Sequence, residues 1–529
     1  MKTVREATID VLRHRELTTI FSNPGSTEVP FLKGLPDDFA FVLGLHEGSV
    51  VGMATGWAIA RNVPALVLLH TTAGLGNAVG ALATARVNRA PLVVVVGQQD
   101  RRQLALEPFL AGHRLELLAG DYPVWVSAPT RAADVPGAVS RAWHEAEWGR
   151  GPAIVIVPMD DWDAEMDVTG PIATSDRIVA ADDAPEAAIT ELAELLNSAK
   201  SPALIVGAGA DDQATWSAIV SLAERLSCPV WQEAFGARAG FPQDHPQFAG
   251  HLPAGRSGLL SSLAGHDVLL AVGAPVFRQY GYEPGPLFAN GTRVALVTQF
   301  AEEARHSPAD LAIVASLSST CAAISPKIHP RNHPATPFFA PPPDPPPPVD
   351  GRPLTPSHVF SALASRLDVN TVVLEESPSS RSDLQIRLPA RRPMGFVSAA
   401  MGGLGFALPA SIGIKMALPE RPVVALIGDG SSMYSIQALW SASNYGVGVL
   451  IVILRNGGYA IMDRLALHAE AKGPWPGFSD IDFCSVARGL SCDVVSVQTI
   501  DSLTEVLDSV VPGLALSTTP FVLVIDVAR

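Results

Sequence analysis

Residues 423–456 place two apolar runs on either side of a helix-length segment. They read VVALIG, Gly428-Asp429-Gly430-Ser431, the helical pattern SMYSIQALWSASNYG, VGVLIVIL, and Arg455-Asn456-Gly457-Gly458. A helix between two such runs makes a crossover unit, whose parallel strands end at the same edge of a sheet. Asp429 and Asn456 each follow one strand, so they stand side by side at that edge. A carboxylate and an amide oxygen there are hard ligands suited to Mg²⁺ or Ca²⁺. Gly430 and the start of the helix add backbone N–H groups and a positive helix end, which favour an anion. The segment is built to hold a metal ion and a phosphate together.

The rest of the chain sets the frame for that unit. A length of 529 residues exceeds what one core supports, and about three domains are expected. The longest apolar runs, such as PLVVVVG and VGVLIVIL, are too short to span a bilayer and fit buried parallel strands, so no membrane partner is expected. The segment MKTVREATIDVLRHREL carries charge through an amphipathic helical pattern and has no apolar signal core. Cys228, Cys321, Cys484 and Cys492 are scattered without metal-site spacing, as reduced thiols in a cytoplasmic protein would be. A net charge of −15 argues against a nucleic-acid partner, which needs a concentrated basic surface. One bound diphosphate remains compatible with it, because a metal ion and backbone dipoles can supply the attraction.

Strand-like and helix-like segments alternate throughout, the pattern of α/β domains built on wound parallel sheets. A first block, 1–174, carries the strands TTIFS, FAFVLGLH, PALVLLH, PLVVVVGQ and PAIVIVP. A second, 185–325, carries PALIVGAG, PVWQE, VLLAVGA and RVALVTQ. A proline-rich linker, 326–353, is expected to be extended and exposed, and a third block, 354–529, contains the metal motif. The glycine turn GAGAD in the second block lacks full GxGxxG spacing and reads as a structural turn.

Two further positions stand out by placement. Glu47 follows the strand FAFVLGLH and opens a helix at the carboxyl edge, where ligands of open α/β sheets gather; taken alone, an acidic residue stabilising a helix start accounts for it. His70 ends PALVLLH, where a structural histidine is the simpler reading from the residue itself. Ser26 follows Asn-Pro-Gly in a turn sequence and has no GxSxG elbow around it.

The spacing of 27 residues from Asp429 to Asn456 resembles the diphosphate and metal motif of thiamine diphosphate enzymes, although Arg455 stands where that family usually has a first asparagine. The segments FSNPGSTEVPFL, LGLHEGSVVGMATGWA, LLHTTAGLGNAVGAL, GAPVF, PMDDWD and GGLGFALPA extend the likeness over almost the whole chain, and resemble benzoylformate decarboxylases. The resemblance implies three wound-sheet domains in the thiamine diphosphate-dependent decarboxylase architecture. It implies thiamine diphosphate and Mg²⁺ or Ca²⁺ as cofactors, with Asp429, Asn456 and the Gly458 carbonyl as metal ligands. Ser379, Gly430 and Ser431 match diphosphate contacts; Leu404 matches the residue that bends the cofactor, and Gly402 offers a carbonyl to its amino group. Glu47 matches the carboxylate that activates the pyrimidine, and Ser26 and His70 match substrate- and proton-handling residues. The family places the glutamate of one subunit over the diphosphate site of another, so a dimer is the minimum active unit and a tetramer is expected. Acetolactate synthases resemble the same layout with a flavin in the middle block, and no flavin is expected here.

The departures fall where substrate choice is made. Tyr280 stands at the family's second active-site histidine; its ordinary pKa near ~10 makes it a slower proton exchanger near neutrality than histidine at ~6.5. Ile461 and Leu465 replace a small residue and an aromatic, Ser398 replaces another aromatic and so opens space on another wall of the pocket, and Pro378 replaces a threonine. The expected activity is non-oxidative decarboxylation of a 2-oxo acid to an aldehyde and carbon dioxide. A thiamine-dependent carboligase is the alternative, followed by a catalytically silent binding subunit and, behind both, a dinucleotide oxidoreductase.

Overall fold

A computed structural model describes residues 2–166, 174–331 and 337–529. The end of the first expected block, 167–173, and linker positions 332–336 lie outside the described residues. The described residues form three six-stranded sheets, all of them parallel. The first contains β1 (Thr19–Asn23), β2 (Ala40–Leu43), β3 (Ala65–Leu69), β4 (Leu92–Gln98), β5 (Trp125–Ser127) and β6 (Pro152–Pro158), in the order β2-β1-β3-β4-β6-β5. The second contains β7 (Pro202–Val206), β8 (Val230–Gln232), β9 (Phe248–His251), β10 (Val268–Val272), β11 (Arg293–Thr298) and β12 (Leu311–Val314), in the order β12-β11-β10-β7-β8-β9. The third contains β13 (Val372–Glu376), β14 (Phe396–Ser398), β15 (Val423–Gly428), β16 (Leu450–Arg455), β17 (Asp493–Val497) and β18 (Phe521–Asp526), in the order β14-β13-β15-β16-β18-β17.

Helices cover both faces, so central strands are buried along their whole length, as in β4 and β6. This is why they read as continuous apolar runs rather than alternating ones. The strands that periodicity did not announce in the first two blocks, β5, β9 and β12, are edge strands with half-exposed residues. A correction also applies to the segment after Gly428. The helix begins earlier, at Asp429–Ser432, passes through turns at 433–437 and resumes as Ala438–Asn444. Through that break the backbone closes with i to i−3 bonds, Tyr434 N to Ser431 O and Ser435 N to Ser432 O, a tighter winding than the α-helix. Of the described linker residues, 337–349 carry no regular secondary structure and are largely exposed, with Phe338 N donating to Pro246 O and Pro346 O lying 2.7 Å from His358 Nε2; the expectation of an exposed, extended linker fails at its start, where Lys327 ends the turn Ser325–Lys327 and Ile328 is buried in the core of the second block.

The first and third sheets are joined through two helices, Glu47–Arg61 and Ala407–Ala417, which share one buried apolar cluster containing Val50, Met53, Ala54, Ala410 and Ile414. Glycines allow their backbones to touch: a Cβ on Gly56 would overlap Ala410 O, and one on Gly413 would overlap Met53 O. Backbone atoms cannot swing aside as a side chain can. Gly413→Ala should therefore destabilise the protein by about 1–3 kcal/mol, the usual range for overpacking. A thermal unfolding transition at the wild-type temperature would contradict this close packing.

Candidate active site

Adjacent strands β1, β2 and β3 deliver their carboxyl-end loops to one place on the first sheet. Glu47 begins its helix there and is only 8 % exposed. The helix is capped instead by His46, whose ring nitrogen accepts from Gly48 N at 3.0 Å. The Glu47 carboxylate is held by two neutral amides: Asn23 Nδ2 donates to Oε1 and Asn77 Nδ2 to Oε2, each at 3.1 Å. Helix stabilisation alone thus does not account for this residue. A buried carboxylate without a cationic partner is costly, which makes it a candidate for chemistry.

His70 caps the helix Thr71–Val87 by position, but its side chain turns to Glu28. Its Nδ1 lies 3.1 Å from Glu28 Oε2 and 2.9 Å from Thr27 Oγ1. The buried Glu28 carboxylate also accepts from Gly25 N at 2.7 Å and Thr27 Oγ1 at 2.5 Å. A Cβ on Gly25 would overlap the His70 ring, so this turn requires glycine. Thr71, a β-branched residue, has φ +37°, a strained conformation of the kind that gathers at functional sites. Ser26 sits exposed on the turn before Glu28. Sequence reasoning missed Asn23, Asn77 and Glu28. The available signal was polar residues at a strand end, two positions past Ser26, and seven positions into the helix after His70.

The third sheet supplies a second constellation. β15 and β16 are neighbours, with Gly428 opposite Leu454, so Asp429 and Asn456 do emerge together. Asp429 is buried; its Oδ1 accepts from Gly430 N at 2.8 Å, and its Oδ2 from Asn456 N at 2.9 Å and Gly457 N at 2.7 Å. Burial raises the pKa of this carboxyl above its ordinary value, with the three N–H bonds acting in the opposite direction. Those bonds fill three of about four acceptor directions, leaving one for a cation. Asn456 Oδ1 accepts from Gly458 N at 3.2 Å. Arg455 turns away to a bidentate pair with Asp526, Nε–Oδ1 2.5 Å and Nη2–Oδ2 2.9 Å, which accounts for a charge at this position.

Tyr459 and Phe478 pack edge to face at 5.1 Å over Gly430, where a Cβ would lie 2.8 and 3.0 Å from their rings. Ser431 is buried, and the half-buried Ser379 accepts at its carbonyl from Arg464 Nη2 at 2.5 Å. The Arg529 guanidinium rests against Gly458 and lies 3.6 Å from Asp463. Among the described residues, no group of three or more His, Cys, Asp or Glu side chains is placed to hold a metal. A cation at Asp429 and Asn456 must therefore complete its shell with backbone, water or phosphate oxygens, a donor set that fits Mg²⁺ with a diphosphate.

Glu376, at the end of β13, accepts from Gly405 N, Phe406 N and Ala407 N at 2.6, 2.8 and 2.6 Å. Burial pushes its carboxyl up to about 7, against the opposing effect of these bonds. It anchors the turn carrying Gly402, which has φ +71°, and the half-buried Leu404. Ser398 is buried with Oγ 3.3 Å from Arg381 Nη2, so the space expected from losing an aromatic is partly taken by a guanidinium. Ile461 and Leu465 lie one turn apart on the helix Ala460–His468, and Tyr280 is 64 % exposed.

Leu43, at the end of β2, accepts from Ser441 Oγ and donates to Tyr445 Oη, at the far end of the run that starts with Asp429. Ser441 and Tyr445 stand 12 and 16 positions past Asp429, beyond the turns at 433–437. Among the described residues, no hydrogen bond or ion pair connects Glu47, Glu28 or His70 to Ser379, Asp429 or Asn456.

Comparison with known proteins supplies the family. Residues 2–116 match the N-terminal TPP binding domain of thiamine pyrophosphate enzymes, 189–324 the central domain and 382–525 the C-terminal TPP binding domain. A benzoylformate decarboxylase of Pseudomonas aeruginosa is 38 % identical over 95 % of this chain and 95 % of its own length. The structure of a thiamine diphosphate-dependent 4-hydroxybenzoylformate decarboxylase from Rhodococcus jostii RHA1 superposes with TM-score 0.94 at 36 % identity, covering 100 % of this chain and 99 % of that one. Benzoylformate decarboxylase from Polynucleobacter necessarius gives TM-score 0.94 at 33 % identity, with the same coverage. All three domains are present in order and the likeness runs from end to end: the chain belongs to the thiamine pyrophosphate enzyme family and is similar throughout to its benzoylformate decarboxylases.

Proposed function

We propose that this protein is a thiamine diphosphate-dependent carboxy-lyase that converts a 2-oxo acid to an aldehyde and carbon dioxide. The observation that carries this reading is the pair of half-sites: a buried, amide-held Glu47 on one sheet edge and the Asp429–Asn456 cradle on another. Thiamine diphosphate, when bound, supplies the nucleophilic carbon and the electron sink for loss of carbon dioxide. Asp429, Asn456 and the Gly458 carbonyl would hold Mg²⁺ or Ca²⁺; Ser379, Gly430 and Ser431 would hold the diphosphate. Gly402 and Leu404 would meet the pyrimidine end, where Glu47 would hold a proton at a ring nitrogen. His70, backed by Glu28, would exchange protons with the substrate, with Ser26 orienting it and Tyr280 facing it from the second block.

The placement of Leu43, the strand end before Glu47, against Ser441 and Tyr445 instead of the Asp429 and Asn456 loops supports a homo-oligomer with active sites between subunits, a dimer at minimum and a tetramer by family resemblance. The domains proposed are 1–174, 185–325 and 354–529, with 326–353 as linker. Among the described residues, no helix is long and apolar enough to cross a membrane, and all four cysteines are free; the latter supports the proposed cytoplasmic location. A carboligase is the second reading, favoured by the exposed phenol of Tyr280 where the family has a histidine.

Three outcomes are expected. Asp429→Ala removes a charged metal ligand. Since loss of a supporting residue around a metal already costs about 10–100-fold, affinity for thiamine diphosphate with Mg²⁺ should fall by more than that. Titration calorimetry measures it, and wild-type affinity would remove the metal assignment. Glu47→Gln keeps size and polarity without charge. Cofactor should still bind, while hydrogen–deuterium exchange at the thiazolium carbon slows by about 10²–10⁴-fold, the usual worth of a positioned acid or base. Exchange at the wild-type rate would refute the role of Glu47.

For the pocket, the unmodified protein should turn over benzoylformate poorly compared with a short branched 2-oxo acid. Ile461→Ala should improve aryl substrates by about tenfold or more, the scale of small changes in an apolar pocket. Tyr280→His should speed aldehyde release and lower the share of carboligation. Steady-state kinetics of both single variants and the double variant, at cofactor saturation, decide this. Benzoylformate as the best substrate of the unmodified protein would overturn the reading of both positions.

A further inference from the structure

Asn88 ends the helix Thr71–Val87 and is 2 % exposed. Its side chain reaches into the third block and both ends of its amide are engaged there: Nδ2 donates to Ser398 O at 3.1 Å, and Oδ1 accepts from Ala400 N at 2.7 Å. The pair of bonds grips the backbone on either side of Ala399, just past the end of β14. The second block closes on the same point. Ser398 N donates to Ala237 O at 2.8 Å, and Arg238 bridges to Val397. Arg238 Nη1 also donates to Asn88 O at 3.2 Å, and its Nε lies 3.3 Å from the buried Asp211. All three blocks thus meet at Ser398.

Beyond this grip the chain runs through Met401, Gly402, Gly403 and Leu404, exposed or half-buried, before Glu376 fixes Gly405, Phe406 and Ala407. The loop is therefore pinned at two ends, by the Asn88 amide and by the Glu376 carboxylate. A Cβ on Gly403 would sit 3.1 Å from Thr84 Oγ1, one turn before Asn88, so the same helix end also supports the loop from below. Its opposite end presents His70, which makes the support a rigid element rather than another loop.

We propose that Asn88 is a positioning residue that sets the placement of the 400–404 loop, and through it the Gly402 carbonyl and the Leu404 side chain. This rests on the roles proposed above for Gly402 and Leu404. The chemistry of the position is specific to a primary amide, because one end must donate and the other accept. Asn88→Asp keeps the shape and the acceptor for Ala400 N but sets an oxygen against Ser398 O; Asn88→Ala leaves both loop groups buried and unpaired.

Both variants are compared with wild type in two measurements. The first is backbone hydrogen exchange over 398–405. It is expected to quicken in both variants, while exchange around Asp429 and Asn456 stays at the wild-type rate. The second is kcat at saturating thiamine diphosphate and Mg²⁺. It is expected to fall about 10–100-fold, the cost of misplacing a reacting group by about an ångström, with cofactor affinity changed less than about tenfold because diphosphate and metal sit on other loops. A merely structural asparagine would lower the melting temperature and leave kcat per cofactor-loaded subunit unchanged. Either readout at its wild-type value in Asn88→Asp overturns the proposal, and this isosteric variant carries the test if Asn88→Ala fails to fold. If wild type itself binds no thiamine diphosphate, the functional reading falls, and the exchange comparison alone then decides whether Asn88 pins the loop.

Discussion

A carboxylate buried at the end of a parallel strand must find donors or become protonated, and Asp429 finds three in the backbone of two adjacent loops. That arrangement depends on the strand order of the third sheet. Gly430 is the next residue in the chain, but only because β15 and β16 are neighbours in register do Asn456 and Gly457 reach the same side chain. The geometry satisfies most of the acceptor capacity of Asp429 but not all of it, and Tyr459 and Phe478 close over Gly430 beside it. Under the proposed function, a cation and the oxygens of a phosphate would complete what the protein leaves open.

The first sheet solves the same problem with different donors. Glu47 takes two side-chain amides and no cation, so neutral donors alone hold this buried carboxylate. Glu28 takes a backbone N–H, a hydroxyl and the His70 ring, and so orients the histidine that the helix Thr71–Val87 presents. Both groups lie at the carboxyl edge of β1, β2 and β3, the edge where open α/β sheets place their ligands. Under the proposed function, chemistry falls to the first sheet and affinity to the third, each on its own block of the chain.

Much of this was legible in the sequence, for identifiable reasons. Central strands such as VVALIG and PLVVVVG are apolar along their whole length because both faces are covered, and the spacing from Asp429 to Asn456 follows from one crossover. The edge strands β5, β9 and β12 were not legible, since short, half-exposed strands carry no such run. Partners contributed from afar were equally hidden. Asn77 reaches Glu47 across 30 positions, and Asn88 reaches Ser398 across 310, and nothing local in the sequence marks either amide. Ser398 read as lost bulk on a pocket wall, whereas its hydroxyl meets Arg381 and its backbone ties three blocks together.

Two half-sites that no hydrogen bond or ion pair joins among the described residues are proposed to meet across subunits. Mixing Glu47→Gln with Asp429→Ala tests this most directly. In a mixed dimer, one site inherits both substitutions and the other inherits neither. Random exchange of subunits between the two inactive variants should then restore about a quarter of wild-type decarboxylase activity in a symmetric dimer. Continued inactivity of the mixture, with subunit exchange verified, would contradict it and place both halves of each site within a single chain.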